Sequence, residues 1–244
     1  MATLVSGLTV ESVHLFCKSL NLAFSSKANF FGYQRLYGQG IQNFFQAHTD
    51  KLKRGIEGKQ NVILVDTRYD SPGFCASKAT TIFMDLDTKN IVHIEVGHKN
   101  ECGGSAKLEG FLFEKGLDHL IGMGLQVKEI VTDASRTLIS ILGACDHPNP
   151  VTPPRGCEWL EESSPSYQCL RYTSRNQLAV LDYNHHNDRK HKENSLGDLI
   201  LSTQCSRKTK EWVAYKELEE KEYSYLPSMF VYLYTMLIKK YNPF

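Results

Sequence analysis

The sequence predicts an α/β fold, with a core in the order β-β-β-α-β-α, helices before it and an α+β appendage after it. Three observations predict this. Past Gly55 and Gly58 a helical pattern gives way to short β-rich runs; two of those runs lead straight into aspartates, Asp66 and Asp133; and amphipathic helical stretches follow the third and fourth runs. The chain has 244 residues, 41% hydrophobic and 23% charged, enough to bury a sizeable core. A net charge of +1 excludes the global basicity that by itself marks a nucleic-acid binder, so any DNA contact falls to local patches.

In chain order, apolar positions Val10, Val13, Leu15, Phe16, Leu20 and Leu22 predict a helix from Val10 to Phe24, stopped at Ser25–Ser26. A second helix runs from Lys27 into Lys51 with an aromatic face (Phe30, Phe31, Tyr33, Tyr37, Phe44, Phe45), although Gly32, Gly38 and Gly40 weaken it. Strands follow at Asn61–Arg68, Ala79–Asp85 and Asn90–Val96, the last two joined by a short hairpin turn. A helix from Ser105 to Gly122, a strand from Val127 to Thr132 and a helix from Ala134 to Leu142 complete the core. Asp146 to Ser166 is proline-rich and irregular. A helix from Tyr172 to Tyr183, a histidine-rich segment to Asn194 and strand-like runs Leu199–Thr203 and Glu211–Tyr215 follow, and Met229 to Ile238 is too short a run for a membrane anchor and is expected in the core. The expected partition is 1–58 helical, 59–145 core, 146–168 linker and 169–244 C-terminal remnant.

Asp66 ends the apolar run Val62-Ile63-Leu64-Val65, which reads as a central strand covered on both faces. A carboxylate there either caps a turn or binds a metal, because burying it unpaired is costly. Asp133 repeats the arrangement, with helix capping as the plainer reading. With the first and fourth strands adjacent, both carboxylates reach one edge, where oxygen ligands suit Mg²⁺ or Mn²⁺.

The stretch Val65-Asp66-Thr67-Arg68-Tyr69-Asp70-Ser71-Pro72-Gly73-Phe74-Cys75-Ala76, with Met84-Asp85, Thr88-Lys89, Ser105 to Gly110, Val131-Thr132-Asp133-Ala134-Ser135, Gln177 to His186 and Tyr223-Ser224-Tyr225-Leu226-Pro227, resembles a family of eukaryotic DDE-type transposase-like proteins with the RNase H fold. The resemblance covers most of the chain. It implies an RNase H-like core and metal-dependent DNA strand transfer, with Asp66 and Asp133 as two members of an acidic triad. The family's third acid lies on a helix beyond a long insertion, and the stretch between Asp133 and Gln177 is too short to hold that insertion, as an internal deletion would leave it. Glu158, Glu161 and Glu162 are formal candidates, flanked by Pro153, Pro154 and Pro165. Glu109, in the helix after three strands, is a further candidate ligand and catalytic residue, although an acid early in a helix is also favoured by the helix dipole.

Asp70 suits a turn before Ser71-Pro72-Gly73. Arg68 is placed to steer a phosphate or to pair with Asp70, and Arg189, Lys190, Lys192, Arg207 and Lys208 form a basic run able to contact DNA phosphates, or an ordinary solvated hairpin. His185, His186 and His191 lack cysteine at ligand spacing and read as a polar loop rather than a zinc site. Seven spaced cysteines without a Cys-x-x-Cys pair suggest reduced thiols, and the N-terminus carries no secretory pattern, so a nuclear or cytoplasmic rather than secreted protein is expected, with DNA as a possible partner and no membrane. The reading that results is a transposase-derived protein without strand-transfer activity. A nuclear nucleic-acid- or protein-binding module and a residual Mg²⁺ nuclease are the alternatives.

Overall fold

The structure, a computed structural model, describes residues 9–71, 75–133, 135–143, 167–206 and 209–241. Two N-terminal helices, α1 (Val10–Ser19) and α2 (Lys27–Ile56), start at hydroxyl caps: Thr9 Oγ1 accepts from Ser12 N at 3.1 Å and Ser26 Oγ from Asn29 N at 3.3 Å. α1 stops at Ser19 rather than at Phe24. α2 runs unbroken through its glycines and past Lys51 to Ile56. Gly38 and Gly40 instead mark close approach: a Cβ on Gly40 would stand 2.1 Å from Leu233 Cδ2.

Strands β1 (Gln60–Tyr69), β2 (Lys78–Asp85) and β3 (Ile91–His98) form an antiparallel meander. The β2–β3 turn is held by Asp85, whose Oδ2 accepts from Thr88 N at 2.9 Å and from Thr88 Oγ1 at 2.6 Å, while Lys89 takes a left-handed φ of 55°. A short helix α3 (Lys99–Cys102) follows, closed by a reciprocal cap in which His98 Nδ1 accepts from Asn100 N and Glu101 Oε1 from His98 N. Then come α4 (Ser105–Gly122), β4 (Gln126–Thr132) and α5 (Arg136–Gly143). β4 pairs in parallel with β1, giving a mixed sheet of order β3-β2-β1-β4. The chain is therefore mixed α/β, and β1 is central.

Strand alternation gives the sheet two covered faces. Ile63 and Val65 join Phe83 of β2 and pack on Phe113 and Leu120 of α4 and Leu138 of α5. α4 approaches this face closely enough that a Cβ on Gly116 would lie 2.2 Å from Phe83 Cε2. The opposite face, with Ile82, Met84, Ile94 and Val96, is covered by α2 through Ile41 and Phe45, by α6 (Tyr167–Asn184) through Leu178 and Leu181, and by α7 (Tyr225–Tyr241) through Met229 and Leu233. The flanking helices thus complete the core rather than decorate it. Met229 to Ile238 is helical within α7, with Phe230, Val231 and Tyr234 exposed.

Beyond α6, strands β5 (Leu201–Cys205) and β6 (Trp212–Lys216) make a separate antiparallel hairpin. After α5 the described chain resumes with α6 at Tyr167, so the expected irregular linker, with Glu158, Glu161 and Glu162, lies outside the described residues, as do Arg207 and Lys208. Among the described residues no helix is long and apolar enough to cross a membrane.

Candidate functional site at the end of the parallel strand pair

The β1–β4 register pairs Val65 with Thr132, and Asp66 and Asp133 each follow that pair by one residue. Neighbouring strands run roughly 5 Å apart, so the two aspartate backbones stand side by side at the same end of the sheet. Both residues are exposed. Among the described residues Asp66 has no hydrogen-bonding side-chain partner, and the Asp133 carboxylate accepts only from Thr132 Oγ1, at 3.4 Å. Asp133 does not cap α5: Ser135 takes that position, its carbonyl accepting from Ile139 N at 3.0 Å, and Ser135 N donates to the Asp133 carbonyl at 2.7 Å. Among the described residues neither carboxylate has an ion-pair partner, and both are exposed.

Glu109 is brought to the same end of the sheet by α4, but it turns to Ser135, whose Oγ donates to Glu109 Oε2 at 2.9 Å. Burial first, then the Glu109 and Cys102 charges, push the Tyr69 phenol above its usual range, which places Glu109 on the α4 side of β1 with Tyr69. Asp66, one position out of phase with Val65, starts from the other face. The structure therefore gathers Asp133, Ser135 and Glu109 round the start of α5, with Asp66 entering from across β1.

One of the helices on Asp66's own face is α6. Its Tyr172 hydroxyl accepts from Thr80 Oγ1 at 3.3 Å, and Thr80 is the register partner of Arg68. The first turns of α6 carry Arg171, Tyr172 and Arg175, and the Arg171 charge reaches Glu11 of α1. Arg171 and Arg175 lie close enough that burial and then the Arg171 charge lower the Arg175 guanidinium from its usual value. The Arg171 Nε is buried without a hydrogen-bond partner among the described residues. Lys78 adds its ammonium 5.6 Å above the Tyr172 ring. The only acid of α6, Asp182, sits at the far end, ion-paired with Lys221 and His186. Among the described residues no three His, Cys, Asp or Glu side chains stand together so as to hold a metal ion. Two-metal phosphodiester chemistry needs ligands converging on one pocket, and the described residues do not provide that set.

The remaining candidates separate by place. Asp70 Oδ1 accepts from Ser77 N at 3.0 Å, so it braces the turn leaving β1. Arg68 is exposed in β1. Lys190 and Lys192 are exposed near the β5–β6 hairpin. Arg189 instead donates from Nη1 to the Glu219 carbonyl at 2.9 Å and from Nε to the His186 carbonyl at 3.2 Å, tying the histidine-rich turn to the chain before α7. That turn is not a solvated loop throughout: His186 is buried between the Asp182 and Glu222 carbonyls, and His185 stacks on Tyr225 at 4.3 Å. Sequence reasoning misses the Arg171–Tyr172–Arg175 group because it starts the helix at Tyr172, and because only the tertiary contact with Thr80 joins the group to Arg68. No family model, curated protein or solved structure matches the chain at a significant level.

Proposed function

We propose that this α/β protein is RNase H-like and transposase-derived, that it no longer carries out DNA strand transfer, and that it retains nucleic-acid backbone binding. The observation that carries the reading is the parallel β1–β4 pairing, which sets Asp66 and Asp133 side by side, while the first turns of α6, a helix packed on the same face of the sheet as Asp66, carry arginines and no acid. A β3-β2-β1-β4 mixed sheet with helices on both faces is the order an RNase H-like core requires, which supports the resemblance of the Asp66 and Asp133 segments.

Arg68 and Lys78 then supply cationic donors, and Tyr172 an aromatic face, on the sheet face that Asp66 shares, while the aspartates themselves repel phosphate unless a cation intervenes. Binding follows the phosphate backbone rather than base sequence. Asp66 and Asp133 are the residues that would hold Mg²⁺ or Mn²⁺, and the ion would supply positive charge towards a phosphate.

Fluorescence anisotropy with a labelled duplex at several salt concentrations tests this. Micromolar or weaker binding is expected, with log K falling linearly in log salt by roughly 0.9 per phosphate neutralised. Arg68→Ala and Lys78→Ala should each reduce that slope by about one, without changing sequence preference. Salt-independent affinity, or slopes unchanged in both variants, removes the nucleic-acid part of the reading.

A further inference from the structure

At the other end of β4 from Asp133, a cleft of about 280 Å³ opens between the C-terminal half of α2 and the turn from α4 into β4, lined by Asp50, Lys53, Arg54, Glu57, Met123 and Leu125. It is just under the range of roughly 300–1,000 Å³ typical of small-molecule sites. Lys53 lines it although the residue is only 4% exposed. A buried lysine ordinarily has a carboxylate partner; here Nζ donates to two neutral acceptors, His119 Nε2 at 3.2 Å and Met123 Sδ at 3.2 Å, and forms no ion pair among the described residues. An ammonium has three hydrogens, so one is left for a ligand.

The surroundings shift the amine towards its neutral form. His119 stacks on His93 with ring centres 4.2 Å apart, and His93 Nε2 lies 3.0 Å from Glu95 Oε1, whose other oxygen accepts from Lys115 at 3.2 Å. Burial, then the neighbouring His93 and Lys53, lowers His119 to about 4, so the ring is a neutral acceptor at neutral pH. Burial also lowers the Lys53 amine, against the opposing pull of Asp50 and Glu95. Arg54 and Glu57 complete the charged rim.

We propose that Lys53 is a nucleophilic amine that condenses with a small aldehyde or ketone entering this cleft. The free Nζ lone pair attacks the carbonyl carbon, and the C=O electron pair moves to oxygen. His119 Nε2, already within hydrogen-bond distance of Nζ, takes the proton released by nitrogen and returns it to the oxygen, giving a neutral carbinolamine. Loss of that oxygen as water, carrying the second amine proton, leaves an imine. Reactive lysines of this kind depend on desolvation beside a proton acceptor, and both are present.

The test uses the whole chain with glyoxylate and cyanoborohydride at pH 7, the adducts located by peptide mass mapping. The Lys53 imine should form and be reduced to the secondary amine several-fold faster than those of the exposed Lys107 and Lys190. His119→Asn should slow Lys53 alone, and Lys53→Arg should abolish the fast phase while the exposed lysines react as before. Lys53 reacting no faster than Lys107 and Lys190, or protected from reagent, overturns the proposal. The wild-type map alone separates these outcomes, even if the Lys53 variant fails to fold.

Discussion

Phe83→Ala should destabilise the protein by about 3–5 kcal/mol, the upper range for a large-to-small change in a core. Phe83 is fully buried in β2, with its ring centre 6.5 Å from Phe113 and 5.8 Å from His93. The helix opposite it presents Gly116, which has no side chain to move into the space, and β2 is hydrogen-bonded on both sides, so the site cannot collapse. Chemical denaturation followed by circular dichroism reads the loss as a lower midpoint with an unchanged slope. Tyr234→Ala, at an exposed position of α7, should stay within about 0.5 kcal/mol of the parent. A loss below about 1 kcal/mol at Phe83 is incompatible with close packing of α4 on the sheet.

Acidification should weaken the fold before the carboxylates titrate. Burial is the leading cause that holds both His48 and His119 at about 4, against 6.5 for a free imidazole. His48 stacks on His185 at 4.9 Å, and Nδ2 of Asn184 lies 3.3 Å from its Nε2, so its charge would meet a second ring. With the folded-state value below the unfolded one, the unfolded chain binds more protons between these values. Stability is complete above about pH 6.5 and is lost as pH falls toward about 4. Discounted for the partial exposure of both rings, each histidine contributes about 1–2 kcal/mol. Thermal scans should show Tm falling by about 5–10 °C between about pH 7 and pH 4.5, and His48→Gln should flatten part of that fall. A Tm constant over this interval would mean that neither ring is neutral in the folded state because of burial.

The core was legible wherever periodicity and chain order carry the information. The run Val62 to Val65 identified β1 as central, and Asp85 to Lys89 identified the hairpin, because a strand covered on both faces and a turn of that length leave local marks. Ends were less legible. α6 begins at Tyr167 rather than Tyr172, and β5 starts at Leu201 rather than Leu199, since frayed ends and exposed hairpins lack a buried face to fix their register. The four-residue α3 is shorter than any helical period can reveal.

The site divides in the same way. Asp66 and Asp133 could be set side by side from the sequence because strand order and register place them. The engagement of Glu109 with Ser135, the Arg189 tie to the Glu219 carbonyl and the Lys53–His119 contact join residues from 26 to 66 positions apart. Such contacts follow from helix placement and leave no local pattern. Arg189 illustrates the cost: as part of a basic run it resembles a phosphate contact, yet two of its nitrogens already serve the fold.

The proposed function rests on Asp66 and Asp133 being the remains of a metal site, set side by side by the β1–β4 register and joined by no third acid among the described residues. Nicking of supercoiled plasmid at millimolar Mg²⁺ or Mn²⁺, compared between the wild-type chain, Asp66→Asn and Glu109→Gln, tests it most directly. The account predicts the same background rate in all three. Metal-dependent nicking by the wild type that disappears in Asp66→Asn would contradict it.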